Sequence, residues 1–206
     1  MKVLLINGSP HEHGCTRAAL DEAARVLHEC GVETELINAG RGQGGGCIAC
    51  GACRKTGQCV RGGGVNEAVE ALKAADGLIV GSPVHYASPA GELLAFLDRM
   101  FYSGASGFAH KPAACIVSAR RAGTTASVDV INKYFTISQM PVVSSTYWPM
   151  VHGATPEDVE QDAEGLQTVR NLARNMAWLL KCIELGRQNG VNAPENEYDS
   201  ATNFIR

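Results

Sequence analysis

The residues of this chain best suited to chemistry are four cysteines that lie close together. They fall in the run GGGCIACGACRKTGQC with the spacing C-x2-C-x2-C-x5-C. Four thiolates at such short spacings, on a glycine-rich segment, can wrap a single metal centre. The sequence therefore predicts a metal or redox site whose ligands are Cys47, Cys50, Cys53 and Cys59.

Several kinds of site compete for these cysteines. A [4Fe-4S] cluster suits four closely spaced thiolates with flexible glycine flanks. Zinc also binds four cysteines, although its structural sites more often use two separated C-x2-C pairs. Disulfides are disfavoured in a reducing compartment, whereas bare or labile thiols are compatible with it. The residues alone leave the cluster, zinc and bare thiols open.

The bulk properties narrow the class of protein. A chain of 206 residues is long enough for one domain with a sizeable core, and we expect 1–206 to form a single domain. A net charge of -3 without a Lys/Arg-rich run argues against a nucleic-acid partner. No apolar run approaches the ~18 residues of a membrane span, and the first one is too short for a signal peptide. We therefore expect a cytoplasmic protein that does not bind a membrane.

Hydrophobic patterning predicts alternating strands and helices. Short apolar runs bounded by Gly, Ser and Pro predict buried strands, and apolar residues at helical spacing predict the helices between them. A Cys/Gly-rich loop over 39–64 and a polar tail over 188–206 lack such periodicity. The predicted strands are 2–7, 32–37, 77–80, 113–118 and 141–145, and the predicted helices are 16–30, 65–74, 88–101, 127–137 and 155–186.

This alternation predicts an α/β fold with a parallel sheet covered on both faces. The order of elements fits a flavodoxin-like, doubly wound, five-stranded sheet of strand order 2-1-3-4-5, with the cysteine-rich loop inserted after strand 2. Ligands of such sheets bind outside the carboxyl ends of the strands. That rule selects three loops, after strands one, three and four.

The first loop, residues 8–16, leaves a strand and enters a helix, as phosphate-binding loops do. Hydroxyls of Ser9 and Thr16 and backbone N–H groups are candidate phosphate ligands. The loop has neither the Walker sequence nor the G-x-G-x-x-G fingerprint, so a monophosphate is favoured over a dinucleotide. His11 is a candidate for a weak ligand contact rather than for a metal ligand.

The second loop, residues 81–89, and the third, residues 118–125, offer different groups. Two prolines stiffen the second loop, in which Tyr86 offers a flat face beside a ring and His85 a further contact. The third loop carries small residues and the adjacent Arg120 and Arg121. An arginine there could stabilise an anionic ring or bind a phosphate of a nicotinamide donor.

The stretches GSP…GCT and GSPVHYASPAGELLAFLDR resemble the flavin mononucleotide-binding reductases of the flavodoxin-like superfamily. The cysteine loop makes the chain similar, more narrowly, to the iron–sulfur flavoproteins, which are cytosolic FMN proteins. This resemblance covers essentially the whole chain. It implies bound FMN and a [4Fe-4S] cluster whose ligands are the four clustered cysteines.

The resemblance also implies where FMN binds. One departure is Cys15, which stands where such phosphate loops more usually have Asn or Ser. The implied phosphate contacts are Ser9, Gly14, Cys15 and Thr16; the ring contacts are Pro83, Val84, His85 and Tyr86; and the loop on the other edge of the ring contributes Ser118, Arg120, Arg121 and Gly123.

Two functions follow as expectations. The first is an FMN-dependent oxidoreductase that accepts hydride from NAD(P)H and passes electrons to an acceptor. Flavin N5 carries that chemistry, so no catalytic side chain is predicted. The second is an electron carrier fed by ferredoxin-like donors through a [4Fe-4S] cluster. Related reductases are dimers or tetramers, so we expect a homodimer or homotetramer. An aromatic and apolar cluster either lies at its interface, lines the substrate pocket or packs under the last helix; its members are Phe101, Tyr102, Tyr147, Trp148, Pro149 and Met150.

Overall fold

The computed structural model describes residues 1–42 and 44–202. Gln43, within the predicted cysteine loop, and residues 203–206 of the predicted tail lie outside this part. The strands are β1 (Lys2–Asn7), β2 (Glu33–Asn38), β3 (Gly77–His85), β4 (Ser88–Pro89), β5 (Ala113–Ala119) and β6 (Met150–His152). The helices are α1 (Cys15–Glu29), α2 (Cys53–Thr56), α3 (Val65–Ala74), α4 (Gly91–Gly104), α5 (Thr124–Ile137), α6 (Pro156–Gln161) and α7 (Ala163–Gln188), with a 3-10 turn at Ala105–Gly107.

The main sheet is parallel and has the order β2-β1-β3-β5-β6. This order confirms the predicted flavodoxin-like topology, and the cysteine-rich loop follows β2 as expected. The short β4 lies outside this path and pairs with β3 in an antiparallel hairpin. The carboxyl ends of four parallel strands, β1, β3, β5 and β6, therefore meet along one edge of the sheet.

Helices cover both faces of the sheet. Leu4 and Ile6 of β1 pack into one apolar cluster with residues of α3, α4 and α5. Val3 and Leu5 point to the other face and pack with residues of α1 and α7. Because successive side chains of a strand alternate between faces, a strand buried on both sides must be apolar throughout, as β1 is from Val3 to Ile6.

The fifth parallel strand differs from the prediction. The segment 141–145 reaches the edge of β5, but Val142 forms only an isolated bridge with Ala113. The chain then turns away from the sheet and returns as β6, which pairs with the end of β5 through Met150 and Val117. The apolar run at 141–145 fits a strand pattern, yet the residues that form the hydrogen-bonded ladder with β5 come further along the chain, in β6.

Several helix boundaries also differ; the helix predicted at 127–137, for example, begins at Thr124. Ser88 and Pro89 form β4 instead of starting a helix, and α4 begins at Gly91. The predicted C-terminal helix is two helices separated at Asp162. Its start is confirmed, because Thr155 forms a capping box with Asp158 and Pro156 follows the cap. Within the described residues, no helix is both long enough and apolar enough to cross a membrane.

Candidate functional site

The carboxyl-end edge of the sheet holds a cleft of about 430 Å³. This volume lies in the usual range for small-molecule sites. All three predicted loops contribute to it, and so does a fourth loop, residues 153–156, that follows β6. Its lining is Ser9, His11, His13, Gly14, Cys15, Thr16, Pro83, Val84, Ser118, Ala119, Arg120, Gly153, Ala154, Thr155 and Pro156.

Asn7, the last residue of β1, shapes the first loop. Its side chain is fully buried, and its Oδ1 accepts a hydrogen bond from the Ser9 N–H at 3.1 Å. Its Nδ2 donates to Asn38 Oδ1 at 3.1 Å, which ties the loop to the end of β2. Ser9 Oγ in turn accepts from the His11 N–H at 3.1 Å. These bonds hold the first loop in a defined turn before α1 begins.

The N-terminus of α1 opens into the cleft. Gly14 is the N-cap, and in the described structure neither a side chain caps this helix nor an acidic residue stands in its first turn. The first N–H groups of a helix lack intrahelical partners and carry the positive end of the helix dipole. Because Gly14, Cys15 and Thr16 line the cleft, this end of the cleft is suited to bind a phosphate.

Two contacts join the first loop to the neighbouring loops. The hydroxyls of Thr16 and Ser118 are 2.8 Å apart in the buried floor of the cleft. Cys15 Sγ donates to the carbonyl oxygen of Gly153 at 3.6 Å. Burial raises the pKa of the Cys15 thiol, so it stays protonated at neutral pH and can act as this donor.

The second loop divides into a part that lines the cleft and a part that projects from it. Pro83 and Val84 line the cleft, whereas His85 and Tyr86 are exposed beyond the lining. Tyr86 and Ala87 are the two turn residues of the β3–β4 hairpin, and both have positive φ, 51° and 59°. Non-glycine residues rarely adopt this conformation, so the surrounding structure must hold the turn.

Gly123 helps to hold that turn instead of lining the cleft. Its φ is 91°, and an added Cβ would lie 2.6 Å from Ala87 Cα. Of the two adjacent arginines, Arg120 lines the cleft, and Arg121 is exposed outside it. Nine of the thirteen predicted cofactor contacts therefore share one cleft, and His85, Tyr86, Arg121 and Gly123 lie outside its lining.

The sequence prediction missed several cleft residues. The loop at 153–156 was missed because the last strand was expected too early in the chain. His13 and Ala119 also line the cleft, and each adjoins a predicted residue. Asn7 supports the cleft through a local bond to Ser9 and a long-range bond to Asn38, and its sequence signal is that it ends a buried strand.

The four clustered cysteines line a second, small cavity of about 30 Å³. Cys47 and Cys50 are exposed, and Cys53 and Cys59 are half-buried. Within the described part of the chain, no three or more metal-ligating side chains are close enough together to hold a metal ion. The fold thus brings the four thiols to one cavity, but not to ligation distance.

Hydrogen bonds fix one side of the cysteine loop. Asn66 of α3 binds Cys59 twice: its Oδ1 accepts from the Cys59 N–H at 2.8 Å, and its Nδ2 donates to the Cys59 carbonyl at 3.0 Å. The Ala49 N–H donates to Cys47 Sγ at 3.4 Å. Backbone N–H groups commonly stabilise thiolates that bind metal or iron–sulfur clusters. All-sulfur donors and this N–H···S bond fit a [4Fe-4S] cluster.

The aromatic residues expected at an interface, in the substrate pocket or under the last helix lie in three places. Phe101 is buried and packs edge-on against Phe108 at 5.4 Å between ring centroids, so it belongs to the core. Tyr102 is exposed and lines the cysteine cavity. Tyr147 and Trp148 are about half exposed and line a separate apolar cavity of about 340 Å³.

The strand order and the carboxyl-end cleft define a flavodoxin-like fold. A flavodoxin from the domain Archaea shares the fold with a TM-score of 0.59 at 16% identity, over 88% of this chain and 99% of that one. RosB, in a structure with bound 8-demethyl-8-formylriboflavin-5'-phosphate, gives a TM-score of 0.70 at 13% identity, over 100% of this chain and 92% of that one.

Sequence similarity identifies the family. The model of the NADPH-dependent FMN reductase family matches residues 1–155. An iron-sulfur flavoprotein of Methanocaldococcus jannaschii is 32% identical over 194 residues, which cover 89% of this chain and 100% of the relative. The chain belongs to the NADPH-dependent FMN reductase family of oxidoreductases and is similar within it to iron–sulfur flavoproteins.

Proposed function

We propose that the protein is an FMN-dependent oxidoreductase that accepts hydride from NAD(P)H and passes electrons to an acceptor. The observation that carries this proposal is the convergence of an uncapped helix N-terminus and four strand-end loops on one cleft of about 430 Å³. When bound, FMN supplies the redox chemistry, since its N5 accepts a hydride and its reduced ring releases electrons one or two at a time.

The first loop would bind the FMN phosphate. The N–H groups at Cys15 and Thr16 and the Ser9 hydroxyl are the donors, and the positive end of the α1 dipole favours the phosphate charge. The Cys15 side chain is a weaker donor than Asn or Ser and is turned to the Gly153 carbonyl. Its contribution to phosphate binding is therefore its backbone N–H.

The second and third loops would bind the isoalloxazine ring. Pro83 and Val84 offer it an apolar surface that excludes water, and the exposed His85 and Tyr86 lie where a nicotinamide would approach. Arg120 would stand beside the ring and favour negative charge on it in the reduced state. Arg121 would act near the ring through its positive charge. Gly123 would act through its close contact with Ala87, which holds the β3–β4 hairpin in place.

A second candidate function is an iron–sulfur flavoprotein that carries electrons from ferredoxin-like donors. Four thiols on one cavity favour it, as does the similarity to relatives named iron-sulfur flavoproteins. Cys47, Cys50, Cys53 and Cys59 would ligate a [4Fe-4S] cluster, which supplies one-electron transfer when bound. The exposed Cys47 and Cys50 would have to turn inward toward the half-buried pair, and the glycines of the loop allow such a change.

We also propose a cytoplasmic homodimer or homotetramer. The half-exposed Tyr147 and Trp148, whose rings pack edge-on at 4.9 Å, border an apolar cavity that a second subunit would cover.

The test is to purify the protein without oxygen and to measure FMN, iron and acid-labile sulfide per chain. One FMN with four irons and four sulfides supports the flavin site and the cluster together. FMN without iron or sulfide supports the reductase and removes the cluster. Cys50→Ser should abolish iron binding, whereas Cys182→Ser, at an exposed cysteine of α7, should leave it unchanged. Absence of FMN binding would refute both functions.

A further inference from the structure

Arg99 of α4 is a buried cation in the wall of the cysteine cavity. Its side chain is 1% exposed and is the largest of the fully buried side chains in the described structure. It lines the same cavity as the four clustered cysteines. A charge placed away from water carries a large desolvation cost unless other groups stabilise it. Arg99 therefore places a buried positive charge in the wall of the cavity that the four thiols line.

The hydrogen bonds of Arg99 direct it toward the cysteine loop. One terminal N–H donates to the carbonyl oxygen of Gly62 at 2.9 Å, just after Cys59 in the chain. The Nε–H donates back to Ala95 of the same helix at 3.3 Å. The guanidinium is therefore held between α4 and the cysteine loop.

We propose that Arg99 is the buried counter-charge of a redox centre bound by the four cysteines, and that it raises the reduction potential of that centre. This inference rests on the cluster described above. Four thiolates make such a centre negative, and reduction adds further negative charge. A nearby cation in a low-dielectric site favours the reduced state more than a solvated one does.

The exposed cations of the same loop offer a direct contrast. Arg54 and Lys55 adjoin Cys53 in sequence, but both side chains are exposed. Water and salt screen exposed charges strongly and buried charges much less. We therefore expect Arg99 to influence the potential more than either neighbour, although it lies far from the cysteines in the sequence.

The electron step itself is simple. A cluster bound by the four cysteines would supply one-electron transfer, and a donor such as a reduced ferredoxin-like protein would be oxidised by that one electron. No covalent bond forms or breaks. No proton is transferred either. The role of Arg99 is electrostatic and does not include transfer of a proton.

Three variants separate charge from packing. Arg99→Gln removes the charge but keeps an N–H donor for Gly62, and Arg99→Lys keeps the charge. Lys55→Gln removes an exposed charge from the same loop and is the matched control. Each protein is purified without oxygen and assayed for iron, sulfide and FMN, and the cluster is titrated electrochemically with detection by electron paramagnetic resonance.

We expect Arg99→Gln to lower the potential by about 59 mV or more, a tenfold change in the one-electron equilibrium. Arg99→Lys and Lys55→Gln should stay much closer to the original protein. Loss of the cluster in Arg99→Gln but not in Arg99→Lys, with FMN retained, would also support the charge as the cause. An unchanged potential in Arg99→Gln, or an equal shift in Lys55→Gln, would overturn the inference. So would loss of the cluster in both Arg99 variants, because packing would then be the cause.

Different results would refute the cluster and the role of Arg99. If the unaltered protein binds no iron and sulfide, or binds zinc, the cluster is refuted and the role of Arg99 falls with it. If the unaltered protein holds the cluster and Arg99→Gln leaves its potential unchanged, the cluster stands and only the role of Arg99 is refuted.

Discussion

Replacing Gly40 with alanine should displace the backbone of the first loop, which forms the proposed phosphate site. Gly40 is buried, follows β2 by two residues and lies directly against the backbone of the first loop. An added Cβ would overlap the carbonyl group of Ser9 and lie 2.6 Å from the backbone nitrogen of Pro10. Because both neighbours are backbone atoms, no side-chain rotation can relieve the collision.

The size of the effect follows from this geometry. The first loop must move by roughly 1 Å, and overpacking of this kind costs about 1–3 kcal/mol. If FMN binding requires the original loop, much of that energy appears as lost affinity. Since 1.4 kcal/mol corresponds to a factor of ten, the dissociation constant for FMN should rise about tenfold to a hundredfold.

In the assay, flavin-free protein is titrated with FMN, and binding is measured by the quenching of flavin fluorescence. Urea unfolding of each variant gives its free energy of unfolding. Gly91→Ala is the matched control, because an added Cβ at the start of α4 meets no atom within 4 Å. Its FMN affinity should equal that of the original protein. If Gly40→Ala folds and binds FMN as tightly as the original protein, the first loop does not carry the phosphate in the way proposed.

Three further predictions test other contacts. Thr16→Val removes the 2.8 Å bond to Ser118 and should lower both stability and FMN binding by about 1 kcal/mol, measured by urea unfolding and flavin titration; unchanged values would contradict the role of this bond. Glu22 has a pKa below its usual 4.5, because hydrogen bonds from Arg25 and Arg170 stabilise its charge. Glu22→Gln should therefore lower the free energy of unfolding by about 1 kcal/mol at pH 7. The difference between the two proteins should vanish as the pH falls through the lowered pKa of Glu22. A constant difference in the free energy of unfolding across that range would show that the charge is not involved. Asn66→Ala removes the hydrogen bonds to the Cys59 backbone and should speed amide hydrogen exchange at Cys59, with little change in the exchange of β1. Equal protection of the Cys59 amide in both proteins would show that Asn66 does not fix this residue.

The sequence predicted those parts of the fold that depend on local pattern. Residues 65–74 form a helix with the predicted bounds, and β1 also has its predicted bounds. The strand order followed from the alternation of strands and helices, because parallel strands need crossover helices. Most of the candidate cleft followed in turn, since the strand order fixes which loops meet at the carboxyl edge.

The missing parts depend on contacts between distant segments. The strand β6 has three residues, too few to show a period, whereas 141–145 has a strand-like composition but makes a single bridge. The loop at 153–156 was lost from the predicted site for that reason. Gly40 matters because it lies against Ser9, and Arg99 because it binds the Gly62 carbonyl. Both contacts join residues far apart in the sequence, so no local pattern predicts them.

The central claim is that flavin bound in the carboxyl-end cleft accepts hydride from a nicotinamide. The most direct measurement is to mix FMN-loaded protein with one equivalent of NADPH, and separately NADH, without oxygen, and to follow the flavin absorbance by stopped flow. We predict that at least one of the two bleaches the flavin as fully as dithionite does. A flavin that dithionite reduces but neither nicotinamide does would contradict the proposed reductase and leave the electron carrier as the surviving function.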